Sequence, residues 1–574
     1  MKTIIFALLL FCIGLNSQDL ISPQHSFFQP NNINTIFYNN GIYNLDKFNF
    51  PGGGNPGFLW PVASSIRLPA IFASGLFIGA KVGSQRELRL AACNYNSHFT
   101  GGNIPIIGQV PPASVCNDTT WKVYLVNLND PSLVNGGTRT KTAGGRTYSF
   151  NYTSWMNWPI AKGASYIEIN NVPGYQPGWN ADRPGIGNNS KARPEEICFT
   201  VYMDYTDCTN NIHTTELSLP GGTLPLGVEI QQISFAFNCL PLQNMLFIKF
   251  RIINKSNLAW DSTYFSHWSD PDIGFSNDDA YGCDSSKNLS FMYNKDNDDE
   301  GYYGANPPAC GSRLIQCPLV YTGNNNDTVR LPYDTLIGYK TLKMSGSNKF
   351  VNGGDICSGD PAEAGPAYNF MLGKDGCGNI LINRVTGQPT TFKYSGDACR
   401  RIGWYDSTYS PRYIQNSGPF HMNSGDTQII VLSQMITRDG GNNFQNVCAL
   451  QSLSDSALKY YYNDFQTCIP IGIQPISTEV PERFILYQNY PNPFNPSTKI
   501  RFSIPLLRGV SEGRGVLLVI YDILGRELTT LINEQLTPGI YEVEFDGTNY
   551  SSGVYYYKLE SGTYTETKKM LLIK

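Results

Sequence analysis

Lys499-Ile500-Arg501-Phe502-Ser503-Ile504 and, further on, Tyr541-Glu542-Val543-Glu544-Phe545 switch between polar and apolar at almost every step. Side chains on a strand point alternately to opposite faces, so a period of two describes strands with one face buried and the other in water. Residues 483–574 are a series of such short runs separated by turn formers, which predicts a small all-β domain.

Toward the N-terminus the pattern changes. Prolines at 470, 475 and 481 punctuate residues 469–482, which read as a linker. Before it, Leu450, Leu453, Ala457, Tyr461 and Phe465 recur at helical spacing, predicting a helix over Ala449–Phe465 that packs on a sheet. Residues 227–237 and 245–254 are long, mostly apolar strand candidates expected to lie side by side at the centre of a sheet, and 427–433 is a third strand. A long, loop-heavy insertion is expected between the second and the third. Residues 211–468 thus read as a β-sandwich domain. Residues 18–210 read as another, rich in Gly, Pro and Asn, with strands at 76–82 and 121–126. Trp60, Trp155, Trp158 and Trp179 fall in its loops and read as buried anchors. The expected fold class is all-β: two sandwich-like body domains with long loops and one helix, then the C-terminal domain.

At 574 residues the chain exceeds one ordinary core. Charged residues make up 15%, below the roughly 25% usual in soluble proteins, which suits a loop-rich β protein outside the cell. A net charge of −4 provides no basic footprint for nucleic acid. Lys2, the apolar run Ile4–Ile13 and Leu15-Asn16-Ser17 have the three parts of a secretory signal, so residues 1–17 are expected to be removed before Gln18. That run is too short to span a bilayer, and no later stretch reaches transmembrane length. Of fourteen cysteines, thirteen remain after Cys12, and in an exported chain they are expected as disulfides rather than metal ligands, with at least one unpaired. Cys310 with Cys317 and Cys198 with Cys208 are close enough in sequence to close short loops.

Four stretches of the C-terminal domain have a more specific wording. Tyr490-Pro491-Asn492-Pro493-Phe494-Asn495-Pro496, Tyr521-Asp522-Ile523-Leu524-Gly525-Arg526-Glu527, Ser552-Gly553-Val554-Tyr555-Tyr556-Tyr557 and Lys568-Lys569-Met570-Leu571-Leu572-Ile573-Lys574 closely resemble, in that order, the type A C-terminal sorting domain of type IX secretion cargo. The resemblance covers residues 483–574 and implies an immunoglobulin-like, seven-stranded domain. It further implies recognition by an outer-membrane translocon and removal by a sortase-like enzyme that joins the cargo to surface glycolipid. The residues of the signal would be Pro491, Asn492, Pro493, Gly525, Arg526, Gly553, Tyr555, Lys568 and Lys569. The body is similar, at Pro225–Ile230, Asp270–Gly274, Asp278–Asp284 and Ser417–Thr427, to large surface proteins of Bacteroidetes-like and Ignavibacteria-like bacteria that carry the same tail; this brings no activity with it. Asp-Ser and Asp-Thr steps at 118, 261, 327, 334, 406 and 455 resemble Bacteroidetes O-glycosylation sites, and equally begin turns or cap helices.

The richest chemistry lies between Asp270 and Glu300, where nine acids face two bases, Lys287 and Lys295. Crowding this charge is unfavourable unless solvent or a cation absorbs it. Calcium takes six to eight oxygens from carboxylates, carbonyls and amides on flexible loops, so one or two structural calcium sites are expected among Asp270, Asp272, Asp278, Asp279, Asp284, Asp296, Asp298 and Asp299. The spacing is not that of an EF-hand: a loop begun at Asp296 places Gly301 correctly but Pro307 where a bidentate Glu is needed. The plainer alternative is a solvated loop whose Asp and Asn residues make turns.

No zinc-protease or nucleophile-elbow motif surrounds the five histidines, and no phosphate-cradling loop occurs. A glycosidase needs only two carboxylates about 5–10 Å apart, and Asp204, Asp207, Glu229 and the acidic segment supply candidates, as carboxylates do in every large protein. The expected function is that of a secreted cell-surface protein whose body is a non-catalytic adhesin, glycan-binding or surface-assembly module. Its partners would be the translocon, the sortase-like enzyme, surface glycolipid, glycans or further copies of itself. The alternative is a secreted polysaccharide hydrolase.

Overall fold

The computed structural model describes residues 24–47, 54–128, 130–164, 194–206, 208–209, 211–216, 219–332, 335–351, 355–406, 412–462, 465, 469–470, 473–477, 481, 483–505, 514–536, 539–547, 550–562 and 564–574. The signal segment 1–17, Trp179, Asp207, Asp334 and Cys468 lie outside them. With 49% strand and 11% helix, the fold is all-β. The chain divides into two compact units, 1–237 with 244–464 and 238–243 with 465–574.

In the first unit the main strands are β1 (Ala73–Val82), β2 (Glu87–Ala92), β3 (Thr100–Gly101), β4 (Tyr124–Asn127), β5 (Glu196–Met203), β6 (Val228–Ala236), β7 (Met245–Asn254), β8 (Trp260–Asp270), β9 (Asp279–Asp284), β10 (Leu289–Asn294), β11 (Ala309–Gln316), β12 (Met344–Phe350), β13 (Arg412–Met422) and β14 (Thr427–Thr437). Its longer helices are α1 (Ala364–Met371) and α2 (Asn443–Tyr462). A nine-stranded sheet runs β4-β5-β6-β7-β14-β11-β10-β9, with β3 beside β5; a five-stranded sheet runs β12-β13-β8-β1-β2. The apolar runs at 227–237 and 245–254 pair as adjacent antiparallel strands, Gln232 opposite Phe250, and β14 takes the other edge of β7 with Ile430 opposite Phe250.

The insertion between β7 and β14 is not loop-heavy. It supplies three strands to each sheet, β9, β10 and β11 to the first and β8, β12 and β13 to the second. The strand period is hidden because these segments are covered on both faces: β8 buries Ser266, His267 and Ser269 as completely as Phe265. Strands from before and after residue 210 share both sheets, β3, β4 and β5 joining the first and β1 and β2 the second.

One core serves both sheets. Leu246, Ile248, Phe250 and Ile252 of β7 belong to the same buried cluster as Leu76 and Ile78 of β1 and Phe265 of β8. The Phe250 and Phe265 rings meet at 5.7 Å between centroids. Helix α2 begins and ends earlier than its apolar spacing suggested and packs on β10, β11 and β14, burying Val447, Leu450, Ala457 and Tyr461. Tyr461 donates from its hydroxyl to Gln316 Oε1 of β11 (2.9 Å), and Arg313 of the same strand reaches Asp455 Oδ1 (2.8 Å). Trp60 and Trp158 are buried, as loop anchors would be.

Disulfides join Cys116 to Cys208, Cys357 to Cys377 and Cys399 to Cys448. The two short loops expected from spacing do not close. Cys310 lies near the start of the extended β11 and Cys317 directly after its end, roughly 20 Å apart at strand rise, beyond any disulfide's reach. Cys198 is buried in β5 and free, as are Cys310 and Cys317.

The second unit contains β15 (Ile473–Ser477), β16 (Ile485–Leu486), β17 (Ser497–Ile504), β18 (Arg514–Tyr521), β19 (Glu527–Leu536), β20 (Gly539–Asp546), β21 (Gly553–Ser561) and β22 (Tyr564–Leu572). They form two four-stranded sheets, β15-β20-β17-β16 and β19-β18-β21-β22. Among the described residues, seven of these strands lie within 483–574, the number the resemblance implied. The eighth, β15, comes from the expected linker and pairs with β20. Ile500, Phe502, Leu518, Ile520, Val543, Tyr557 and Leu559 fill the core, and the period of two read from 499–504 and 541–545 is their inward face.

Candidate functional site

The acidic segment is built into the first unit rather than looped out from it. Strand β8 ends at Asp270; a 3-10 turn at Ser276–Asp278 leads into β9; Ser285–Lys287 turns into β10; and Asp298–Asp299 pairs with Gly304–Ala305. This separates the acids into two groups. Asp284 and Asp296 make turns: Asp284 Oδ1 accepts from Ser286 N (3.0 Å) and Lys287 N (3.3 Å), and Asp296 Oδ1 accepts from the backbone N–H of Asp298 (3.1 Å). Asp296 and Asp298 are exposed.

Asp270, Asp278, Asp279 and Asp299 are buried, and Asp272 is half-buried. Asp270 has partners: the Tyr95 hydroxyl donates to it, and Arg412 Nε stands 3.8 Å away. Burial pushes its carboxyl up to about 6, against the pull of Arg412. Asp299 is a clamp, its two oxygens accepting from Phe275 N and Tyr303 N, both at 2.7 Å. Its carboxylate lies so close over Gly274 that a Cβ there would come within 1.9 Å of Oδ2, and φ at that glycine is +61°. Only glycine suits both conditions.

Asp279 is half satisfied: Oδ2 accepts from Ile273 N (2.9 Å), while Oδ1 has no partner. Asp278 is 3% exposed and neither carboxylate oxygen has a hydrogen-bond partner. Burial, opposed by the neighbouring Asn294 amide and reinforced by the Asp299 charge, pushes Asp278 up to about 6. Burial also raises Asp279 well above the carboxylate range, with Asp272, Asp278 and Asp299 adding to it. Among the described residues, no three His, Cys, Asp or Glu side chains converge as a ready-made metal cluster.

The other carboxylates singled out in the sequence hold backbone. Asp204 accepts from Leu226 N (2.6 Å) and Val228 N (2.8 Å), tying β5 to the start of β6. His213 stands over it with both ring nitrogens on carbonyl oxygens, Leu90 O at 2.7 Å and Asp204 O at 3.0 Å. The Asp204 carboxylate oxygen Oδ2 lies 3.9 Å from His213 Nε2, and the His98 ring stacks on His213 at 4.2 Å. Burial pushes Asp204 up, while His213 and the backbone N–H groups pull it back. Glu229 Oε2 accepts from Ile104 N (2.9 Å), and its Oε1 accepts from Gln231 Nε2 (2.9 Å). Two further charge pairs were not legible in the sequence: Arg412 with Asp360 and Asp270, and Lys349 with Asp406 at 3.0 Å. Each spans distant segments and leaves no local pattern.

In the second unit the sorting words are structural joints. Pro491 O accepts from Asn489 Nδ2 (3.1 Å) and Thr498 Oγ1 (2.7 Å), and Asn492 Oδ1 accepts from Leu571 N (2.9 Å). Gly525, at φ +77°, closes a turn in which Asp522 Oδ1 accepts from Arg526 N (2.9 Å). Gly553 opens β21. Tyr555 donates to Ser551 O (2.6 Å), while fully buried Tyr557 donates to Tyr487 O (2.9 Å) and accepts from Asn489 N (2.8 Å). Lys568 pairs with Glu566 (3.1 Å), and Lys569 O accepts from Gln488 Nε2 (2.8 Å). The first and last words are thereby stitched together. Asp-Ser and Asp-Thr steps behave as turn and ion-pair sites where described: Asp118 Oδ1 accepts from Thr120 N (2.8 Å), and Asp455 pairs with Lys287 (2.6 Å).

The all-β body is thus followed by a small two-sheet domain held together by these joints. Residues 488–574 match the family described as the secretion system C-terminal sorting domain. That domain marks proteins exported by type IX secretion to the cell surface or extracellular space, and this chain is one of them. Among the described residues no helix is long and apolar enough to cross a membrane. No curated protein matches the sequence. Among solved structures, a polysaccharide lyase is similar at 7% identity with a TM-score of 0.18, over 76% of this chain and 39% of that one. The adhesin domain of Epf from Streptococcus pyogenes is similar at 7% identity with a TM-score of 0.12, over 63% of this chain and 97% of that one. The chain thus spans well under half the length of the lyase, and both scores are too low to carry an argument about the body.

Proposed function

We propose that the body is a non-catalytic surface module, working in adhesion, glycan binding or assembly on the cell that exports it. The observation that supports this is how its acids are used. Asp204 and Glu229, two of the candidates for a hydrolytic pair, accept backbone N–H bonds that hold strand ends in place, and Asp299 of the acidic segment does the same for its turn. A glycosidase instead needs one carboxyl free to donate a proton and a second free to attack or to activate water.

Imaging the native protein on cells while the purified chain is applied to a glycan array tests the reading. Surface localisation with glycan binding, or with concentration-dependent self-association, and no sugar release is the expected result. Release of reducing ends from any arrayed polysaccharide would replace it with the hydrolase.

A further inference from the structure

Independently of that reading, we infer that the turn leading into β9 holds one calcium-type divalent cation, with Asp278 as its central ligand and the free oxygen of Asp279 beside it. The starting point is an unpaid polar debt. Asp278 is 3% exposed with both oxygens unpartnered, Asp279 is fully buried with Oδ1 unpartnered, and the Asn294 side-chain nitrogen also lacks a partner. Buried polar atoms are nearly always paired, and an orphan carboxylate is among the costliest exceptions.

Protonation does not remove the debt. A neutral Asp278 would bury an O–H donor and a carbonyl acceptor in the place of two acceptors; the neighbouring Asn294 amide can serve the acceptor, and the O–H would still need a partner. The Lys295 ammonium is directed to Asn277 O (3.5 Å), and Arg412 serves Asp270 and Asp360. A cation meets both oxygens at once and also offsets the field of Asp272 and Asp299.

The donor set selects the kind of ion. Carboxylate oxygens on a turn suit a hard cation with six to eight oxygen ligands and loose geometry; backbone carbonyls and water would complete the shell. The burial is shallow, since Phe275 and Asn277 on the same turn are exposed, so an ion can enter without unfolding the sheet. The Asp299 carboxylate, which accepts from Phe275 N and lies over Gly274, holds the start of the same turn in place.

The test uses the full chain stripped with EGTA and titrated with CaCl2 by calorimetry, alongside thermal melts of the wild type, Asp278→Asn and Asp296→Asn. Calcium should bind at one equivalent and raise the melting temperature. Asp278→Asn should weaken binding at least tenfold and erase the shift, while exposed Asp296→Asn leaves both unchanged. In EGTA the order should reverse, the Asn variant melting no lower than the stripped wild type because it lacks the buried charge. If Asp278→Asn does not fold, terbium luminescence of the wild type, displaced by calcium but not by magnesium, decides in its place. No calcium heat with an unchanged melt, an Asp278→Asn variant that binds as the wild type does, or a response to magnesium alone would each overturn the site.

Discussion

Strands β6 and β22 are both nine residues long, and they are read by opposite rules. In β22, Thr565, Thr567 and Lys569 are exposed while Met570 and Leu572 are buried, so its sequence displays its orientation. In β6 every residue is buried, Glu229, Gln231, Gln232 and Ser234 included. A strand covered on one face advertises itself by alternation; one covered on both must place a partner at each polar side chain. Strand β6 does this with Arg251 on Gln231 (2.9 Å), Tyr202 on Gln232 (2.8 Å) and Gln232 on Ser234 (3.3 Å). The body is therefore held together by buried polar contacts to a degree that the tail is not.

That contrast can be broken by experiment. All eight tryptophans lie before residue 483, so their fluorescence follows the body alone, while hydrogen exchange of peptides from 488–574 follows the tail. Asp204→Ala should cost the body about 2–5 kcal/mol in urea unfolding, because it orphans two buried N–H groups, and should leave tail exchange unchanged. An effect under about 1 kcal/mol would mean that these buried contacts are not what holds β5 to β6.

Removing the Cys116–Cys208 bridge by a double Ala substitution should cost the body about 2–4 kcal/mol. Residues 469–574 contain no cysteine, so reductant should spare their exchange protection.

The third prediction turns on pH. His267 is fully buried with neither ring nitrogen partnered, and burial pushes its pKa down to about 3 from an ordinary 6.5. The unfolded chain then binds the proton that the folded one refuses, so stability falls as pH drops from about 6.5 toward 3. Asp270 and Asp278, both raised to about 6, act with the opposite sign between about 6 and 3.8. The informative quantity is hence the difference between variants: His267→Leu should be more stable than the wild type by roughly 2–3 kcal/mol near pH ~4.5 and close to it near pH ~7.5, as read from denaturant midpoints. A difference independent of pH would assign the effect to packing alone.

The smallest effect belongs to the tail. Tyr557→Phe removes a hydroxyl bonded to Asn489 N and Tyr487 O and should cost about 1–2 kcal/mol, seen as faster exchange around Tyr487 and Asn489 with tryptophan fluorescence unmoved.

The same contrast explains what could be read in advance. The tail's strands within 483–574 and its motifs were legible because one-sided burial writes a period of two and tight turns demand Gly and Pro at fixed places, whereas β15, from the expected linker, was not. The pair β6–β7 was legible from its apolar runs. What stayed hidden was set by partners remote in sequence. The segment after β7 appeared loop-like because Ser266, His267 and Ser269 break the apolar run of a doubly covered strand. Cysteines near in sequence proved far apart along an extended β11. In the acidic segment composition marked the right region but treated eight aspartates alike. Only three-dimensional placement separates Asp296, which makes a turn in water, and exposed Asp298 from Asp278, which is buried with neither oxygen hydrogen-bonded.

The order of strands also acts on synthesis. Strand β7 sits between β6 and β14, and ribosomes make β14 only after the entire insertion has emerged. Until then the growing chain presents the backbone edge of a ten-residue apolar strand, open to pairing with a second nascent chain. The sorting domain is translated later still. A truncated chain that lacks β14 therefore also lacks the sorting domain at residues 488–574.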